Sequence, residues 1–192
     1  MPDLLATHRA LLEQWRNAMN LVGPGDVGEH YEDAERALAK LEPSGHCADL
    51  GTGAGFPGIV FAARFPQVQL DLVDSRRKRC SFVQQVLAQA QVPGDRVRVL
   101  CKRVEDLDRS AYDGLLARAF GPQAEVLDHA DRLLGEGGTV VLFHNADAPL
   151  PDDPRFEVFH VERYVVSGRD RRSVTLRRRP REGAAHQAAP EG

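Results

Sequence analysis

Long apolar runs are absent from this 192-residue chain, although 42% of its residues are hydrophobic. No stretch approaches the roughly 18 residues that a membrane-spanning helix needs. The N-terminus also lacks a basic segment leading into an apolar secretory core, so the expected compartment is the cytoplasm, without membrane attachment. Cysteine is scarce: Cys47, Cys80 and Cys101 are scattered rather than set at metal-ligand spacing, and an odd count cannot pair off. A disulfide framework is thereby excluded, and reduced, mostly buried thiols with no metal are expected. Nor does one sign of charge dominate, since 25 Lys+Arg against 28 Asp+Glu leave a net charge of −3. That balance gives no global attraction to nucleic acid, so such binding would need a local basic surface. Arg163, Arg169, Arg171, Arg172, Arg177, Arg178, Arg179 and Arg181 could supply one near the C-terminus. The same residues also suit a solvated strand face and a charged tail.

What is present fits one domain with appendages. Over residues 4–21, Leu4, Leu5, Leu11, Leu12, Trp15 and Met19 recur at spacings near three and four, which predicts an amphipathic helix. Gly23-Pro24-Gly25 breaks it, and a second helix is expected over 28–41, so residues 1–44 form a helical prefix. From residue 45 to 181, short apolar runs alternate with helical segments, the signature of βαβ units. Strands are expected at 47–50, 69–74, 97–101, 114–117 and 139–143, with helices at 59–65, 78–91 and 123–134. Two last strands, 156–166 and 173–177, are joined at Gly168-Arg169-Asp170. The expected fold is therefore α/β, a doubly wound, mostly parallel sheet with a C-terminal antiparallel hairpin. The tail 182–192 has no periodicity and is expected to be disordered.

The chemistry begins at Asp49-Leu50-Gly51-Thr52-Gly53-Ala54-Gly55-Phe56-Pro57-Gly58, between the first strand and a helix. Glycines there let the chain turn tightly and bring backbone N–H groups close to a nucleotide. The nicotinamide fingerprint G-x-G-x-x-G needs glycine where Phe56 stands, whereas G-x-G-x-G resembles motif I of class I S-adenosylmethionine methyltransferases. Asp74, about twenty residues on, is placed to accept from two ribose hydroxyls. Alone it could equally cap the helix that follows. Arg103-Val104-Glu105-Asp106 follows the third strand, and Leu133-Leu134-Gly135-Glu136-Gly137-Gly138 resembles the turn before the fifth strand of that class.

Asp49 to Gly58, Leu72-Val73-Asp74-Ser75 with Lys78-Arg79, Arg103-Val104-Glu105 and Ala117-Arg118-Ala119-Phe120 together resemble the RsmG (GidB) family, whose members methylate guanine N7 in small-subunit ribosomal RNA. The resemblance runs from about Trp15 to Leu176. It implies a Rossmann-like class I methyltransferase that uses S-adenosylmethionine and acts on 16S ribosomal RNA or the small ribosomal subunit; a monomer is expected. The implied cofactor set is Asp49, Gly51, Gly53, Gly55, Phe56, Asp74, Ser75, Val104, Glu105 and Arg118. Arg118, Asn20, His30 and Asp33 are the candidate substrate-positioning residues. The chain departs from the family pattern at Val22, Glu29, Ala34, His144 and Asn145, all in the half that would face RNA. A class I enzyme acting on a small molecule and a non-catalytic RNA-binding paralogue are the rival readings.

Methyl transfer to guanine N7 uses a lone pair already in the ring plane, so no proton leaves first and no essential general base is expected. Catalysis would rest on proximity and orientation. If Arg118 touches the base it should reach O6 and leave N7 free. The acceptor should be an accessible loop nucleotide, with phosphate contacts expected from Arg169, Arg171 and Arg172.

Overall fold

The computed structural model describes residues 2–19, 21–23 and 26–180. Asn20 and the tail 182–192 lie outside the described residues. The prefix forms α1 (Leu4–Met19) and α2 (Val27–Ala37), the latter started by Asp26, whose Oδ1 accepts from the Gly28 amide at 2.8 Å. Then come β1 (His46–Leu50), α3 (Gly58–Arg64), β2 (Gln69–Val73), α4 (Arg77–Gln89), β3 (Val97–Leu100), a 3-10 turn at Val104–Asp106 and β4 (Tyr112–Arg118). The chain ends with α5 (Gln123–Leu133), β5 (Leu134–Asn145), β6 (Phe156–Val166) and β7 (Arg169–Arg178).

The seven strands form one sheet in the order β3-β2-β1-β4-β5-β7-β6. The first five run parallel, and β7 pairs antiparallel with both β5 and β6. β1 and β2 are buried at every position but the first, Asp49 and Asp71 included, because both faces of a parallel sheet are covered. Alternation sends Cys47, Leu70, Leu72, Leu116 and Val141 to the face covered by α1 to α4. Ala48, Leu50, Val73, Leu115, Val140 and Val174 go to the face covered by α5. Leu11, Leu12, Tyr31, Ala34 and Leu38 of the prefix belong to the first of these cores. Among the described residues, no helix is long and apolar enough to cross a membrane.

Three boundaries differ from the sequence expectation by four residues or more. β5 starts at Leu134, not at 139: Leu134 already pairs with Tyr112, and the glycine-rich stretch that read as a turn is a bulge before the ladder resumes at Gly114 and Thr139. β7 starts at Arg169 because the turn is tighter than expected. Ser167 (φ 48°) and Gly168 (φ 73°) are both left-handed, as a two-residue hairpin turn requires, and Val166 pairs at once with Arg169. α2 stops at Ala37, short of 41.

The arginine-rich hairpin is only partly a basic surface. Arg172 is 3% exposed and donates to the Ala148 and Pro149 carbonyls, so it is not free for phosphate as the sequence suggested. Arg178 is buried too, against Asp131 and the Leu134 carbonyl. On a strand buried at both faces, alternate arginines must turn inward and find carbonyl or carboxylate partners.

Candidate active site

The strand order reverses between β1 and β4, and the crevice outside their C-terminal ends is where open α/β sheets bind ligands. The loop from Gly51 to Gly58 crosses this crevice. Gly51 (φ 69°) and Gly55 (φ 98°) are in the left-handed region. A Cβ on Gly51 would stand 2.5 Å from the Phe120 ring, and one on Gly55 would stand 2.7 Å from Ile59. The Gly53 amide donates to Asp74 Oδ2 at 3.0 Å, while Asp74 Oδ1 accepts from the Arg76 amide at 2.8 Å. The loop and the end of β2 are thus tied through one carboxylate.

A cleft of about 280 Å³ opens here, lined by Gly51, Asp74, Ser75, Val104, Glu105 and Phe120 among others. Five of the ten expected cofactor residues therefore share one cavity. Asp49, Gly53, Gly55 and Phe56 do not line it, and Arg118 lines a different cavity. Asp49 is fully buried and its Oδ2 accepts from the Gly58 amide at 3.0 Å. Burial pushes its carboxyl up to about 6, against the nearby Thr52 hydroxyl, the Gly58 amide and Arg118. Neither Asp49 Oδ1 nor Thr52 Oγ1 completes a hydrogen bond of ordinary geometry among the described residues. Phe56 is buried between the loop and the prefix, its ring against His8, His30 and Tyr31.

A second cavity, of about 530 Å³, lies between α2, the ends of β4 and β5, and the hairpin. Arg118, His30 and Asp33 line it. Arg118 Nη2 donates to His30 Nδ1 at 2.7 Å, Nη1 stands 3.3 Å from Asp33 Oδ2, and the guanidinium carbon lies 5.4 Å from the Phe56 ring centre. Tyr164 donates to Asp33 Oδ1 at 3.0 Å, so Asp33 ties α2 to β4 and β6 together. A guanidinium only donates, so His30 Nδ1 must accept and the neutral ring carries its proton on Nε2. Burial lowers the His30 pKa and Arg118 lowers it further, with Asp33 and Glu29 opposing.

Ala119 lines both cavities. Its φ of 51° is left-handed, which costs a non-glycine residue about 1–2 kcal/mol. That conformation turns Arg118 into one cavity and Phe120 into the other, and strain of this kind gathers at functional sites. A third cavity, of about 520 Å³, is lined by Cys47, Phe61, Thr139 and Arg177 among others and holds none of the expected site residues.

Several partners had no sequence signal. His8 is buried in α1, its Nε2 donating to the Ala54 carbonyl at 2.7 Å while Nδ1 accepts from Tyr31 at 2.8 Å. It clamps the glycine loop to the prefix, and burial lowers its pKa to about 4. Glu29 faces Arg169 at 2.5 Å, and Asn145 Oδ1 accepts from Arg171 Nη1 at 2.6 Å. Two departures from the family pattern thus have partners on the hairpin. Ala34 is buried in the core, where a serine hydroxyl would need a partner.

A family model described as rRNA small subunit methyltransferase G matches residues 3–150. A Paracoccus denitrificans protein named Ribosomal RNA small subunit methyltransferase G is 34% identical over 145 residues, covering 73% of this chain and 74% of that one. A Leptothrix cholodnii protein of the same name is 30% identical over 195 residues, covering 95% and 88%. Among solved structures, Burkholderia thailandensis 1,6-didemethyltoxoflavin-N1-methyltransferase, with bound 1,6-didemethyltoxoflavin and S-adenosylhomocysteine, matches with a TM-score of 0.61 at 16% identity. It covers 92% of this chain and 89% of that one, and the two share the class I methyltransferase fold.

Proposed function

The chain belongs to the rRNA small subunit methyltransferase G family, and from that premise we propose that it methylates N7 of a guanine in 16S ribosomal RNA with S-adenosylmethionine as donor. The observation that carries this reading is the meeting of two cavities at Ala119, one built like a nucleoside site and the other presenting Arg118, His30 and Asp33.

The residues present fit the cofactor. Asp74, held by two amides, has acceptor capacity left for ribose hydroxyls. Val104 and Glu105 would flank adenine, Ser75 the ribose and Gly51 the loop side. The incompletely bonded Asp49 carboxyl, buried at the loop's start, suits the amino-acid end, where an ammonium would favour its charged form. When bound, S-adenosylmethionine supplies a methyl group on a positive sulfur.

The remaining work falls to orientation. Arg118 is held by His30, Asp33 and the Phe56 face, so it keeps one pose without substrate. His30 Nε2–H is a neutral donor suited to guanine O6, which leaves the N7 lone pair free. A neutral donor is preferable because transfer brings positive charge onto the base. Asn20 would add a contact from the prefix. The same reading makes the small ribosomal subunit the partner, the cytoplasm the compartment and the monomer the working form, with residues 1–44 and 45–181 acting as one unit.

Mass spectrometry of 16S ribosomal RNA from cells with and without this gene tests the assignment. One N7-methylguanine should vanish with the gene and return with the wild-type copy but not with Arg118→Ala. Unchanged RNA would reject the proposal.

A further inference from the structure

The cavity holding Arg118 is lined by three arginines and three acids, and the charges do not cancel locally. Arg118 faces Asp33, Arg169 faces Glu29, and Asp26 is occupied with the Gly28 amide at the start of α2. Arg171 alone of the three has no carboxylate partner among the described residues. Its Nη1 donates to the neutral Asn145 amide oxygen, and its Nε–H is buried with no acceptor among the described residues. His144 lines the same cavity, and its Nε2 is likewise buried and unpartnered among the described residues.

Buried donors are nearly always satisfied, and each one that is not calls for an explanation. Two residues that carry such nitrogens line one cavity, one of them a cation without a carboxylate partner among the described residues; with the His144 proton on Nε2, the pair is complementary to a ligand oxygen that carries negative charge. The base itself is a poor candidate, because methyl transfer places positive charge on it and a neighbouring guanidinium would oppose that. The backbone of the target nucleotide has the required anion. We propose that Arg171 and His144 form a phosphate subsite for the nucleotide whose base enters this cavity, an inference that rests on the nucleic-acid reading above.

Asn145 fixes the guanidinium before any ligand arrives, which lowers the ordering cost of binding. The other hairpin arginines cannot replace it. Arg172 is committed to the Ala148 and Pro149 carbonyls, and Arg169 to Glu29. The phosphate contact expected from three arginines is thus concentrated in one, joined by a histidine at a position where the family usually has another residue.

The test is competition of guanosine 3′,5′-bisphosphate and of guanosine against methylation of small subunits, together with calorimetry of both compounds on the S-adenosylhomocysteine complex. The bisphosphate should bind the parent about ten- to a hundredfold better than guanosine, the range of one charge-assisted contact. Arg171→Gln should collapse that preference, raise KM for RNA by a similar factor with a smaller change in kcat, and reduce the slope of log affinity against log salt by about one. Arg171→Lys should keep part of the preference, and it stands in if the glutamine variant does not fold. S-adenosylhomocysteine affinity should stay within twofold of the parent. Equal binding of bisphosphate and guanosine by the parent overturns the subsite, as does a preference that survives in Arg171→Gln. A parallel loss of S-adenosylhomocysteine affinity also overturns it, by assigning the cation to the cofactor's carboxylate. If calorimetry shows the preference but no ribosomal RNA is methylated, the subsite stands and the proposed reaction falls. If RNA is methylated without the preference, the reverse holds.

Discussion

Asp49→Asn removes a buried charge while keeping the side chain's shape and its acceptor for the Gly58 amide. Burial raises the Asp49 carboxyl from 3.8 to about 6. At about 1.4 kcal/mol per unit, that shift corresponds to about 3 kcal/mol. A carboxyl whose pKa is higher folded than unfolded contributes stability below its unfolded value, and that contribution is lost as pH rises through about 6. His8 runs the other way. Its pKa falls from 6.5 to about 4, so its contribution is present above 6.5 and is lost as pH falls through about 4. In the parent these two groups oppose each other across much of the same window. In the variant His8 acts without that opposition, and stability should rise by about 3 kcal/mol between the two His8 pKa values. At pH near 7.5 the variant should exceed the parent by about 2–3 kcal/mol, or about 5–10 °C in melting temperature at this chain length. Urea denaturation at a series of pH values reads the difference. Calorimetry with S-adenosylhomocysteine should show weaker binding by the variant if the carboxylate receives the ligand's ammonium. A variant less stable than the parent at pH near 7.5, or a gap that does not change with pH, would refute the reasoning.

Ala119→Gly should raise stability by about 1 kcal/mol by relieving the left-handed strain, yet lower kcat because Arg118 and Phe120 are then joined by a freer link. Thermal melts and steady-state kinetics on small subunits measure both. Arg118→Lys should reduce kcat by about ten- to a hundredfold with S-adenosylhomocysteine affinity little changed, since an ammonium cannot reach His30, Asp33 and the Phe56 face together. Tyr31→Phe leaves buried His8 Nδ1 without its donor and should cost about 1–3 kcal/mol in urea melts.

The cleft beside the glycine loop was readable in advance because its signals are local. Glycine at 51, 53 and 55 reports backbone conformation and close approach, both properties of a few consecutive residues. Asp74 follows a five-residue segment, Gln69–Val73, of the length of a buried strand. The cavity lined by Arg118, His30 and Asp33 was readable only as residue names. Nothing at position 30 announces that its ring nitrogen faces Arg118, 88 residues away along the chain. Arg172 and Arg178 were misread for the same reason: a run of like charges looks solvated until the sheet's pairing decides which of them turn inward.

The sequence by itself determined the order of strands and helices, the glycine loop and the carboxylate one strand over, since periodicity and backbone sterics act between near neighbours. The tertiary structure alone decided that His8 clamps the loop, that Ala119 divides two cavities, and that Arg171 has no carboxylate partner among the described residues while Arg172 is buried. Those outcomes depend on which distant groups share a low-dielectric space, and burial and ion pairing are set only when the chain closes on itself.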